Sequence, residues 1–230
     1  MPISDLEAHV APVVAEVRER IAAARARGGH GQDVTLIAVT KTHGPEAVMA
    51  AWQAGITDVG ENRVQEAEAK MAQIAVPVRW HLIGHLQRNK ARNAARFDLV
   101  HSLDSERLAV ALDDAAGEAQ RVLEVLVQVN VSGESTKSGF ALHDLPGVAE
   151  RLHGCRHLRV RGIMTMAPFD AEEAVLRTVF GGARDARTLL QAGGHPADWL
   201  SMGMSGDYEV AVEEGATHVR LGTMLFGGRT

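Results

Sequence analysis

A single (β/α)8 barrel is the fold predicted by this sequence of 230 residues. Short apolar runs alternate with helix-forming stretches along most of the chain, the rhythm of strand–helix repeats. Several of these runs are apolar at every position, as strands of a parallel sheet covered on both faces require. Length agrees, since a typical barrel of this kind uses ~250 residues. An open, doubly wound sheet is the competing arrangement.

The first segment, 3–24, places Leu6, Val10, Val13, Val14, Val17 and Ile21 at helical spacing with Glu and Arg between them. It reads as an amphipathic helix with Ser4 or Asp5 as its cap and Gly28 and Gly29 at its end. Strands are predicted at 34–40 (VTLIAVT), 58–61 (DVGE), 79–84 (RWHLIG) and 99–103 (LVHSL). Four more follow at 122–131, 160–166, 199–204 and 218–221. Helices are predicted between them at 45–54, 62–72, 105–116, 171–190 and 207–215. No linker, low-complexity tract or repeat interrupts the pattern. One domain, 1–230, is therefore expected, with an N-terminal helix to residue 28 and the barrel over 34–227.

Composition excludes several classes. A net charge of −5 argues against a general nucleic-acid binder. No apolar run reaches the ~18 residues of a membrane span, and the acidic start lacks the basic flank of a signal peptide. The single cysteine, Cys155, has no internal partner and fits a reducing cytoplasm. Only Lys41, Lys70, Lys90 and Lys137 carry a primary amine on a side chain.

Those four lysines differ in setting. Lys70 lies among Glu66 and Glu68 on a helix and reads as solvated. Lys90 shares a basic stretch with Arg88, Arg92 and Arg96, which reads as an exposed charged face before it reads as a phosphate or nucleic-acid site. Lys137 follows the fifth strand in SGESTKSGF, which lacks the order of a P-loop and reads as a loop lysine at a strand's C-terminal end. Lys41 ends the run VTLIAVTK, so it emerges at the mouth where barrel active sites lie. Partial desolvation there favours a neutral amine able to form a Schiff base; the plain alternative is a lysine turned out to water.

The last two strands end in small residues. Ser205 and Gly206 open a predicted helix, and Gly222 and Thr223 follow the eighth strand. Barrels often bind phosphate at this place, although ordinary capping and turn glycines give the same pattern. Arg220 lies two residues before Gly222 and so on the same strand face. A Schiff-base lysine, a phosphate cradle and a guanidinium aimed at a ring together suggest pyridoxal 5′-phosphate (PLP), with another phosphate ligand still open. His81 and His85 have no third partner at metal-ligand spacing, so no metal is expected and His81 reads as a pocket-wall or satisfied interior residue. Met164 and Met166 end the sixth strand near this region or simply fill the core.

Read together, VTKTHGPEAV, DVGENRVQEAEAK, WHLIGHLQRNK, VNVSGESTKSGF, RGIMTMAP and LSMGMSGDYEVAVEEGATHVRLGTMLFG resemble the pyridoxal phosphate homeostasis protein family. That family in turn resembles the N-terminal barrel of alanine racemase. The resemblance implies a TIM barrel of that type with an extra N-terminal helix. It implies PLP as cofactor, Lys41 as Schiff-base lysine, Arg220 at the pyridine nitrogen, and Ser205, Gly206, Gly222 and Thr223 at the phosphate. Asn62, His81 and Met164 would line the ring.

The same resemblance implies a cytoplasmic protein that buffers or delivers PLP, with PLP-dependent apo-enzymes as recipients and no established turnover. A permanently cationic Arg220 disfavours protonation of the ring and makes it a poor electron sink. Racemisation in the two-domain relatives needs a tyrosine base from a second domain. The length leaves little room for one, and the single tyrosine is Tyr208. A monomer without nucleic acid or membrane partners is expected. The alternatives are a PLP-dependent racemase or lyase, and a cofactor-free Schiff-base aldolase using Lys41 or Lys137.

Overall fold

The computed structural model describes residues 3–134 and 137–228. Its strands are β1 (Thr35–Val39), β2 (Asp58–Glu61), β3 (Arg79–Leu82) and β4 (Leu99–Leu103), then β5 (Leu123–Gln128), β6 (Leu158–Met164), β7 (Trp199–Ser201) and β8 (His218–Leu221). They pair in parallel in chain order, and β8 closes on β1 with Ile37 opposite Arg220. The (β/α)8 barrel is thus present, and the open-sheet alternative is excluded by the β1–β8 ladder. Three strands, β2, β4 and β8, have the predicted bounds. By contrast, β7 stops at Ser201 instead of running on to residue 204. Gly203 turns the chain out of the ladder at φ +93°, where a Cβ would stand 2.7 Å from the Ala211 side chain.

The helices are α1 (Ile3–Gly28), α2 (Pro45–Gln53), α3 (Val64–Met71), α4 (Ala91–Ala94), α5 (Glu106–Glu118), α6 (Leu145–Leu152), α7 (Glu173–Ala192), α8 (Tyr208–Glu213) and α9 (Thr223–Phe226). Ser4 and Asp5, the predicted cap positions, fall within the first turn of α1. The predicted stripe of α1 is otherwise buried at Leu6, Val10, Val14, Val17 and Ile21. It packs against α8, α2 and α9. With α9 only four residues long, α1 covers the β8–β1 seam that a full eighth helix would otherwise shield. Helix α6 was not expected from LPGVAERL, yet its proline falls in the first turn, where a missing N–H costs nothing. The basic stretch forms only a 3-10 turn and the short α4, with Arg92 paired to Glu118 and Arg96 to Glu68.

Strand residues divide by parity. Leu36, Ala38, Val59, Leu82, Val100, Val125, Val127, Ile163, Leu200 and Val219 join the large cluster formed with the helices. The barrel interior is different. Leu99, Leu126 and Met164 form a small separate cluster, backed by Met166 and Trp199. Other interior positions carry Asp58, His81, His101, Ser201, His218 and Arg220, together with Ile37 opposite Arg220, all buried. At the lower end, Arg79 bridges Asp58 and Glu124, Arg161 also meets Glu124, and the Arg161 guanidinium lies 4.1 Å from the Trp199 ring centre.

Burial holds the His218 ring down to about 3, and His101 well below its ordinary value. Both rings are neutral in the folded protein but take a proton near pH 6.5 when unfolded. Their contribution to stability is complete above pH 6.5 and is lost as pH falls from there toward 3. Urea titrations should show unfolding free energy falling by roughly 2 kcal/mol between about pH 7 and 5.5 from these two rings. His218→Asn should remove about half of that slope.

Candidate functional site

Lys41 stands two residues beyond β1 at the C-terminal mouth of the barrel. The loop that carries it is tied down by a buried charge. Glu61, at the end of β2, accepts hydrogen bonds at Oε1 from Thr40 Oγ1 (2.5 Å) and Lys70 Nζ (2.6 Å). Lys70 also donates to the Thr40 carbonyl (2.7 Å) and to Glu66 Oε1 (3.2 Å). The next residue after Lys41, Thr42, is held at φ +69° with its amide donating to Glu66 Oε1 (2.5 Å). Lys70 is therefore not the solvated residue expected; it is 4% exposed. A lysine can be buried here because Glu61 is buried with it. Desolvation raises the Glu61 carboxyl pKa, partly countered by the hydrogen bonds from Lys70 and Thr40.

This knot leaves Lys41 free. Its Nζ has no hydrogen bond or ion pair among the described residues, whereas Lys70 makes three bonds and Lys137 is held by Glu134 (2.7 Å) and the Met166 carbonyl (3.4 Å). An open cavity of about 540 Å³ is lined by Lys41, His43, Asn62, Arg63 and Glu66. Asn62 is placed by Gly84, where a Cβ would come within 2.3 Å of the Asn62 carbonyl oxygen.

The second half of the mouth is built by the loops after β7 and β8. Ser205 Oγ accepts the Met224 amide at 3.3 Å, so the two predicted small-residue clusters do meet. Gly222 packs on β1, where a Cβ would lie 3.2 Å from the Val39 oxygen. The amides of Ser205, Gly206 and Thr223 take no partner among the described residues, and glycine keeps the backbone open to an anion at such a place. Asp207 secures the loop by accepting the Met204 amide at 2.6 Å. Behind it, α8 is clamped by ion pairs: Glu209 and Glu213 meet Arg20 and Arg27 of α1, while Glu213 and Glu214 meet Arg177 and Arg184 of α7.

Arg220 lies inside the barrel below this cradle. Its Nη1 donates to Ser201 Oγ (2.5 Å) and its Nη2 to the Thr165 carbonyl (3.0 Å). No carboxylate lies within ion-pair range among the described residues, and burial pulls the guanidinium down to about 10. His81 is fully buried with both ring nitrogens engaged, by Asp58 and His101 (2.9 Å each), so it is the satisfied interior residue of the two readings. Met164 is 1% exposed within the interior apolar cluster. Tyr208 packs away from the mouth, its ring beneath Arg20 of α1 and its hydroxyl buried without a partner among the described residues. No group of three or more metal-binding side chains occurs among the described residues. Nor is any helix long and apolar enough to cross a membrane.

Sequence reasoning missed Thr40, Glu61 and Lys70 as a unit; the Glu66–Lys70 spacing at i, i+4 was its one local signal. It also missed Asp58, His101 and Ser201. They sit two residues from Gly60, Leu99 and Trp199 on the same strand faces, a period of two hidden within apolar runs.

Fold and mouth together define an alanine racemase-like barrel. The family model described as the N-terminal domain of alanine racemase matches residues 14–230. The pyridoxal phosphate homeostasis protein of Pseudomonas aeruginosa is 44% identical over 229 residues, spanning 99% of this chain and 97% of its own. The protein of the same name from Escherichia coli is 37% identical over 226 residues, 96% of this chain and 97% of its own. The chain belongs to the pyridoxal phosphate homeostasis protein family. PipY of Synechococcus elongatus, solved with PLP bound, has 41% identity and a TM-score of 0.81, covering 91% of this chain and 99% of its own. Alanine racemase from Corynebacterium glutamicum shares the fold, with a TM-score of 0.75 at 18% identity over 97% of this chain and 62% of that one.

The buried knot has a measurable cost of disruption. Lys70→Met leaves Glu61 without its cation and should lower unfolding free energy by about 3–5 kcal/mol in urea titrations. The double variant Lys70→Met, Glu61→Gln removes both charges and should recover much of that loss.

Proposed function

We propose that this chain holds PLP at the barrel mouth through Lys41 and serves to buffer and deliver it. The observation that carries this reading is the unpartnered Lys41 amine beside an open cavity, with unsatisfied amides on the neighbouring β7 and β8 loops. The residues fit the group: a primary amine for an aldehyde, open backbone amides and a serine hydroxyl for a phosphate, and a donor-only guanidinium for a ring nitrogen. PLP-bound PipY, its 41%-identical relative, supports the same reading.

When bound, PLP supplies an aldehyde that condenses reversibly with a primary amine, releasing water. The roles of the residues follow from their settings. The Thr40–Glu61–Lys70 knot fixes the loop from which Lys41 reaches the cavity. Ser205, Gly206, Gly222 and Thr223 receive the phosphate, and Asn62 faces the same cavity as Lys41. Arg220 donates to the ring nitrogen and, holding its own protons, opposes protonation there. That weakens carbanion chemistry and favours holding and release. Release to a recipient needs only exchange of one amine for another, and all the assigned groups come from one chain, so a monomer suffices. The relatives' names as homeostasis proteins are in keeping with binding in preference to turnover.

The racemase or lyase reading needs a second base facing Lys41. Tyr208 is the chain's single tyrosine and is turned toward α1, which disfavours it for that task. Two measurements decide. Borohydride reduction of PLP-loaded protein followed by peptide mapping should place the adduct on Lys41, and Lys41→Ala should abolish it; an adduct on Lys137 would overturn the assignment. Amino acids incubated with the loaded protein in heavy water should exchange their Cα proton no faster than with free PLP. Rapid, Lys41-dependent exchange would establish the enzyme reading.

A further inference from the structure

An unbroken line of side chains crosses the barrel interior beneath Arg220. Asp58 Oδ1 lies 2.9 Å from His81 Nε2, and His81 Nδ1 lies 2.9 Å from His101 Nε2. His101 Nδ1 is 2.9 Å from Ser201 Oγ, which is 2.5 Å from Arg220 Nη1. These groups come from β2, β3, β4, β7 and β8, and none is more than 6% exposed.

With both rings neutral, the two ends fix the direction of every hydrogen bond between them. A guanidinium only donates and a carboxylate only accepts. Ser201 Oγ therefore accepts from Arg220 and gives its own proton to His101 Nδ1. A neutral His101 then carries its proton on Nε2 and donates it to His81 Nδ1. His81 in turn carries its proton on Nε2 and donates to Asp58, whose carboxyl is held below its ordinary range, the hydrogen bonds from His81 and Thr57 outweighing desolvation. Shifting the proton within either ring sets two lone pairs or two protons face to face. Charging His81 would strand the Ser201 hydroxyl proton and add a cation between Arg79, His218 and Arg220, with Asp58 as its only carboxylate partner among the described residues. One arrangement satisfies all five groups.

We propose that Asp58, His81, His101 and Ser201 are positioning residues for the bound ligand, acting through Arg220. The chain and the Thr165 carbonyl consume one N–H from each terminal nitrogen, so the guanidinium plane is fixed and its remaining N–H groups have a set heading. The chain also links the Arg220 charge to the Asp58 carboxylate at the far end of the barrel; Asp207 attracts the guanidinium as well, from beyond ion-pair distance. This rests on the proposed placement of the PLP ring nitrogen against Arg220. It adds to that reading a reason why Arg220 is rigid.

Two experiments test it. Long-range 1H–15N spectra of the chain without ligand should show His81 and His101 both neutral with the proton on Nε2. A His101 proton on Nδ1, or a doubly protonated ring at neutral pH, would overturn the proposal. In PLP-loaded protein, Ser201→Ala should keep the Lys41 adduct, move the visible absorption maximum, and raise the dissociation constant roughly tenfold, the worth of one charge-assisted hydrogen bond. Ser201→Thr keeps the hydroxyl and should restore both. A Ser201→Ala protein with the wild-type spectrum and affinity would overturn it as well. Absence of a Lys41 adduct in the wild type would instead sink the proposed function, while the ring spectra still decide the hydrogen-bond order.

Discussion

A guanidinium enclosed in a barrel without an adjacent carboxylate is the constraint around which this interior is organised. Moving a charge out of water is costly unless its donors are met. Arg220 meets that demand with the Ser201 hydroxyl and the Thr165 carbonyl. Ser201 can accept because its own proton passes to His101, and His101 can accept because its proton passes to His81. The requirement thus travels across the barrel to Asp58, five strands being involved in satisfying one side chain. Helices outside the sheet are packed by ordinary apolar surface, and the apolar residues of the interior include Ile37 and a small cluster around Leu99, Leu126 and Met164.

The mouth above is made of two halves held from behind by different means. On the β1–β2 side, a buried lysine–glutamate pair grips the loop backbone and leaves the neighbouring lysine unencumbered. On the β7–β8 side, three glutamates near α8 take arginines from α1 and α7. Exposed pairs of this kind are each worth little, but several sharing the same carboxylates can locate a short helix that could not hold itself. The N-terminal helix thereby does more than shield a seam. It supplies part of the clamp behind the loop that would receive the phosphate.

Much of this was legible in the chain. Short apolar runs alternating with helix-forming stretches marked all eight strands, and several of the runs were continuously apolar, the local signal of burial on both faces. Lys41 was distinguishable from the other three lysines because it directly follows such a run. The role of Lys70 was not legible: Glu66 and Glu68 flank it in sequence, which describes a solvated helix face equally well. What buries it is Glu61, nine residues earlier on a strand. His101 and Ser201 are 100 residues apart and bond directly, a pairing with no local trace.

Sequence by itself determined the strand–helix rhythm, the helix at the start, and the lysine, small residues and arginine that mark the mouth. These follow from short-range causes: hydrophobic period, turn chemistry, and position at the end of a strand. Only the closed barrel decided which lysine is buried and which is free, and that His81 faces two protein partners. It also turned Tyr208 toward α1. Closure sets these outcomes because it brings β8 against β1 and turns every second residue of eight strands into one shared interior, where each polar group must find its partner across the barrel.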